Sequence, residues 1–280
     1  MGIFDFFRKK NSKSNTESVS YNGELTITSH TKKNLFLPNA ALYGFENMEN
    51  ENHEAFLSEM VDKALQQTPV EENPVYKVCQ SGSNRVMQRV IYIISSYHRK
   101  NFVASVFPYF KTESVIQFTP HKLTKWDAAI EAEVEGIAQD TFALSFYAAD
   151  YAINESLYQS GQRLEVKISA LALVIDKSEP LQANGMKFSE DFAALIPNKE
   201  AGDLCFYDFI GKLIHFETHT VNELIHGYIL TIKMINNEKQ DIFTIDVFAN
   251  LQNMRITDLQ VGMRLAGCVW IQGEASKIIP

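Results

Sequence analysis

The chain has 280 residues, 45% apolar and 21% charged, which is ordinary globular usage and excludes a disordered or collagen-like polypeptide. No run approaches the roughly 20 apolar residues needed to span a bilayer, so a transmembrane segment is excluded from the reading. Residues 1–125 carry 15 Lys+Arg and 12 Asp+Glu and residues 126–280 carry 11 and 22, so the halves stand at +3 and −11 and sum to −8; the acidic half disfavours nucleic acid as a partner.

Residues 1–20 read as a flexible arm. Phe4, Phe6 and Phe7 precede Arg8-Lys9-Lys10 and a polar run with nothing to bury. That order of apolar and basic residues is the reverse of a secretory signal. Residues 1–10 could touch a membrane surface or a protein, but the apolar patch is too short for stable membrane binding. From Asn52, apolar residues at Phe56, Leu57, Met60, Val61, Ala64 and Leu65 form a helical stripe that Thr68-Pro69 ends. Over 75–118, β-branched residues and turn-like Ser81-Gly82-Ser83-Asn84 favour strands near 75–80, 85–95, 102–107 and 114–118 over a helix at 83–97.

Strand patterns recur at 129–138, 141–149, 163–174, 224–235, 241–249 and 263–271. The connection 176–211 is expected to hold short helices around Glu190–Leu195 and Leu204–Ile210. Within this half lies an internal echo: Gln139–Leu164 matches Gln240–Leu265 at a constant shift of 101, with eight of 26 positions identical. Each copy reads as a strand, a connection, then Gln-x-Gly-x-Arg-Leu entering another strand, with glycine supplying the turn. A period near 100 is too long for a solenoid and points to a duplicated β unit.

Three cysteines, Cys79, Cys205 and Cys268, form no CxxC pair and read as buried free thiols in a reducing cytoplasm. His215, Glu217 and His219 would share one face of a strand, two imidazoles and a carboxylate suited to a transition metal. The alternative is an exposed polar face with ordinary histidines. Arg163 and Arg264 occupy matching places in the echo. They could grip an anion, or each could pair with an acid such as Asp140 or Asp241. Asp150, at a strand end near Asn154, reads as a cap or Asx-turn. Glu131, Glu133 and Glu135 read as one solvated strand face, and Trp126 and Trp270 as core or rim packing. Phosphate loops and nucleophile elbows are absent from the sequence.

The expected fold is α+β and predominantly β. It comprises the arm 1–20, a mixed domain 21–125 and a β-rich domain 126–280 with two related units at about 126–175 and 224–275. That β region suits a small barrel of the oligonucleotide-binding type. The expected function is a non-enzymatic cytoplasmic binding or assembly module that meets a protein partner or a second copy and needs no cofactor. The alternative is a metal-dependent hydrolase or oxygenase at His215, Glu217 and His219.

Overall fold

The structure is a computed structural model that describes residues 25–29, 35–44, 48, 53–72, 74–95, 100–126, 130–178, 182–183, 186–187, 189, 191–200, 205–236 and 241–279. The arm over residues 1–20 lies outside these. Among the described residues no helix is long and apolar enough to cross a membrane. The chain is mostly β, with a large mixed sheet and a smaller four-stranded one.

Strand β1 (Thr26–Ser29) is followed by helix α1 (Phe36–Tyr43) and helix α2 (His53–Leu65). Of the predicted α2 stripe, Met60 and Ala64 are buried and Val61 packs with Ala64 beside Cys79 and Val90, whereas Leu65 is exposed and the Phe56 side chain lies outside the described residues. That sheet is an antiparallel series of β2 (Glu71–Glu72), β3 (Tyr76–Gly82), β4 (Val86–Ser95) and β5 (Lys100–Phe110). Over residues 83–95 the segment is therefore a turn followed by a strand, as its β-branched content indicates; residues 96–97 lie outside the described ones.

The larger sheet is built from β6 (Val115–Lys125), β7 (Ala132–Ala138), β8 (Phe142–Ala148), β9 (Leu164–Lys177), β12 (Ala194–Pro197), β13 (Phe206–Thr220), β14 (His226–Asn236), β15 (Asp241–Asn250) and β16 (Arg264–Ile278), with β1 beside β6. A two-residue pair, β10 (Gln182–Ala183) and β11 (Met186–Lys187), stands apart. Helix α3 (Tyr151–Gln159) joins β8 to β9, and a 3-10 turn (Leu251–Asn253) follows β15. Where helices are expected near 190–195 and 204–210, the described residues show no helix: 194–195 begin β12 and 206–210 begin β13. Their apolar residues, Phe206, Phe209 and Ile210, are buried, and the segment pairs with β16, so tertiary pairing decides their conformation.

Hydrogen bonding closes two rings of five strands. One runs β6–β7–β8–β16–β9 and returns to β6; the other runs β13–β14–β15–β9–β16 and returns to β13. The long strands β9 and β16 belong to both. Residues Val115–Phe118 of β6 pair with Leu164–Lys167 of β9, whereas Ser169–Leu171 of β9 lie parallel to Asp246–Phe248 of β15. Likewise Arg264–Trp270 of β16 pair with β13, whereas Gln272–Gly273 lie parallel to β8. The β9–β16 register pairs Leu164 with Ile278 and Lys177 with Leu265. A shift of 101 exchanges those two pairs, and it maps the central pair Ala170–Ile271 onto itself.

The interiors of the rings merge into one apolar cluster reaching from Phe118, Val134 and Phe146 to Leu230, Ile232 and Ile245. A second cluster joins the four-stranded sheet and α1 to the outside of the rings, with Phe107, Tyr109 and Phe110 against Tyr147, Leu171, Phe248 and Trp270. Buried asparagines fasten α1 from below: Asn250 Nδ2 donates to Leu42 O at 2.7 Å and Asn253 Nδ2 to Ala40 O at 3.1 Å. These bonds satisfy carbonyls that the helix end leaves open.

Both glycines of the Gln-x-Gly-x-Arg-Leu segments adopt left-handed backbone, Gly161 at φ +65° and Gly262 at φ +88°. Nothing lies within 4 Å of a Cβ built on Gly262, so an alanine there meets only the backbone cost. Gly262→Ala is expected to lower unfolding free energy by about 1–2 kcal/mol in denaturant titration, and Gly262→Asn by less. An unchanged Gly262→Ala protein would show that the turn does not depend on glycine.

Candidate functional site

A groove of about 550 Å³ lies on the outer face of the first ring, over β6, β7 and β8. Its floor follows from the alternation of β7. Ala132, Val134 and Ala138 point into the ring, which turns Glu133 and Glu135 outward. Gly136 shares the inward face with Val134 and Ala138: a Cβ there would stand 2.1 Å from Thr119 O and 2.7 Å from the Phe118 ring, so β6 and β7 meet closely beside the β6 bulge at Pro120–Lys122. Lys122, Thr124 and Trp126 supply one wall. The other wall is Pro197, Asn198, Lys199, Cys205, Phe206 and Tyr207.

Hydrogen bonds fix these walls. The Ser145 N–H donates to the Tyr207 hydroxyl at 2.7 Å, and the Ser145 hydroxyl meets the same oxygen at 2.7 Å. Asn198 Nδ2 donates to Asp208 Oδ1 at 2.9 Å. Lys122 pairs with Glu135. Cys205 stands in left-handed backbone at φ +60°, and burial pushes its thiol well above the ordinary range. All three cysteines are free and buried.

The second ring carries a face in the same register. Ser145 and Tyr147 become Asp246 and Phe248 at the 101 shift. Pairing then places Glu133 and Glu135 against Ile229 and Thr231, because the partners are Tyr147 and Ser145 in one ring and Phe248 and Asp246 in the other. One strand further, Thr124 and Lys122 correspond to Glu217 and His215.

That second face is already occupied. The turn between β3 and β4 docks on it: Ser83 Oγ lies 2.7 Å from His219 Nε2, and Arg85 Nη1 lies 2.5 Å from Glu217 Oε1. Arg85 Nη2 stands 3.8 Å from Asp246 Oδ2, and its guanidinium lies over the Phe110 ring at 5.4 Å. Asp246 also accepts from Thr112 Oγ1 at 2.9 Å and Thr231 Oγ1 at 2.8 Å. Burial and the nearby Arg85 cation hold His219 below its ordinary pKa, so its ring is neutral near pH 7.

The strand thus does set His215, Glu217 and His219 on one face, with His215 exposed, but Glu217 turns to Arg85 and His219 to Ser83. Among the described residues no group of three or more His, Cys, Asp or Glu converges to hold a metal ion.

Arg163 Nη2 meets Asp140 Oδ2 at 2.5 Å, the acid pairing anticipated for it, and also bonds Gln117. Asp140 and Gln139 form the β7–β8 turn at φ +53° and +50°, so the arginine grips a backbone that non-glycine residues seldom adopt. Arg264 Nη1 donates to Ser189 O at 3.3 Å; the Asp241 side chain lies outside the described residues.

Two readings of acidic residues change. Glu131 is not solvated: it is 2% exposed and accepts from Ser105 Oγ at 2.6 Å and from the Tyr147 hydroxyl. It precedes β7 and lies under the four-stranded sheet, beyond the reach of a period-two pattern. Asp150 stands at the start of α3 but its side chain makes no cap bond. It accepts instead from Asn154 Nδ2 at 2.7 Å, Tyr158 Oη at 2.5 Å and the Ala275 N–H at 3.0 Å. Glu274 of β16 and Arg89 of β4 also face it. Arg89 bridges the junction, donating to Ala149 O at 3.1 Å and pairing with Glu274 at 2.9 Å over the Tyr109 ring.

Burial pushes the Asp150 carboxyl up to about 7. Its folded value therefore exceeds its unfolded one, so the folded state loses stability as pH rises from about 4 to 7 while the unfolded chain ionises first. The melting temperature is expected to fall by several degrees from this group between pH 5 and pH 8, and Asp150→Asn to flatten that slope. A slope unchanged by the substitution would refute the assignment.

Compared with known protein families, curated proteins and solved structures, the chain matches none of them significantly.

Proposed function

We propose that the chain is a non-catalytic binding module whose first ring receives a segment of a protein partner in the groove over β6, β7 and β8. The observation that carries this reading is the groove itself, whose 550 Å³ falls within the range of ligand sites and whose walls are aromatic and mixed in charge. Its only thiol is buried and pushed up, which favours binding over nucleophilic chemistry. Glu133, Glu135 and the −11 charge of residues 126–280 favour a polypeptide over a polyanion.

The pairing order supports reading each ring as a small barrel of the oligonucleotide-binding type, whose second and third strands form the binding face. In the first ring those strands are β7 and β8. The shared course of the two rings, with matching glycine turns, supports a duplicated unit. Drawn along the pairing, the first unit begins with β6, so we place the end of the mixed N-terminal part near residue 113. Free buried thiols favour a reducing, cytoplasmic setting. A metal-dependent activity at His215, Glu217 and His219 draws no support, because Arg85 and Ser83 engage two of the three.

A photo-crosslinking amino acid at Ala143, exposed on the groove floor, is expected to give a protein adduct in cells. The same group at Val261, exposed outside the groove, is expected to give none. No adduct from position 143, or a nucleic-acid adduct in its place, would overturn the proposal.

A further inference from the structure

We infer that the groove takes a turn or extended segment of its protein partner that presents an arginine or lysine to Glu133 and Glu135. This rests on reading the groove as a protein-binding site and names the chemistry of the occupant.

The second ring supplies the pattern. Its register-equivalent face holds a polypeptide turn, Ser83–Arg85, and the anchoring group is a guanidinium set between Glu217 on the first strand and Asp246 on the third. In the first ring Thr124 and Ser145 stand at those two positions. The carboxylates have moved to the strand between them, where Glu133 and Glu135 replace Ile229 and Thr231. Both faces thus carry two acids and neutral hydroxyls on three adjacent strands.

The flanks are similar in kind. Arg85 lies over Phe110 as well as between acids, so its alkyl stem and planar head meet an aromatic ring. Trp126, Phe206 and Tyr207 line the groove in the first ring. Lys122 pairs with Glu135 and Lys199 stands at the rim, yet the surrounding half of the chain carries −11, so the long-range field draws a cation toward the groove. The four-stranded sheet covers the second face through Arg85, whereas among the described residues it meets the first face at Tyr147 and not over Glu133, Glu135 and Ser145.

The test uses fluorescence anisotropy with the full chain and a labelled hairpin peptide reproducing residues 81–88, closed end to end. A second peptide carries citrulline in place of arginine, and a third carries glutamate. The arginine peptide is expected to bind about tenfold tighter than the citrulline peptide. Glu133→Gln with Glu135→Gln should remove that preference while leaving the melting temperature within a few degrees, and Ala143→Arg should block the arginine peptide. Equal affinities, tighter binding of the glutamate peptide, or no measurable binding of any would overturn the inference. A peptide of residues 1–10 that binds tighter than the hairpin would also overturn it, by making the chain's own N-terminal segment the occupant. None of these results touches the crosslink at position 143, so failure of the cation inference and failure of the binding reading are separable.

Discussion

One antiparallel ribbon, β9 with β16, holds the larger sheet together. Each strand gives its first half to one ring and its second half to the other, so the residues of this ribbon take part in both closures. Closing a small sheet removes exposed edges, which otherwise invite pairing with other chains. Here the closure is bought twice with the same two strands. The shared ribbon also explains why the apolar interior is one cluster: Val166, Ile168, Val269 and Ile271 look into a space that neither ring encloses alone. Trp270, fully buried and 5.0 Å from the Tyr147 ring, packs on the opposite side of that ribbon.

The four-stranded sheet breaks the equivalence of the rings. Its apolar face settles on Tyr147, Leu171, Phe248 and Trp270, and from there its β3–β4 turn reaches the second ring. Among the described residues the groove over β6, β7 and β8 carries no such turn, whereas the matching face of the second ring does. A single asymmetric addition therefore gives two like rings different surroundings. The polar junction of Arg89, Glu274 and Asp150 sits where that addition meets the first ring, and it places buried charge at the seam between sheets.

Much of the scaffold was legible from alternation and turn chemistry. Helix α2 and the strands β3 to β9 and β14 to β16 follow from apolar spacing, and the two glycines of the repeated motif take the left-handed conformation that the motif suggests. Arg163 likewise finds Asp140. What stayed hidden depends on contacts distant in sequence. Helix α1 is nearly uniformly apolar, Phe36 to Tyr43, and shows no stripe because several elements enclose it. The start of β13 reads like an amphipathic helix until β16 pairs with it. Glu131 continues the acidic pattern of β7 but lies beneath Ser105 of another sheet. The groove was invisible because its walls come from segments 70 or more residues apart, Lys122, Thr124 and Trp126 on one side and Pro197, Lys199 and Tyr207 among those on the other. Glu133 and Glu135 were legible as outward acids of β7 from its alternation alone.

The interlocked strands also constrain the order of synthesis. The first ring waits for Gln272–Gly273 to join β8, although β8 itself is translated more than a hundred residues earlier. A nascent chain leaving the ribosome can assemble the four-stranded sheet, but it must carry an open, apolar trough until β16 emerges. During that interval the trough offers unpaired backbone to any passing strand, so guarding it falls to translation speed and to chaperones.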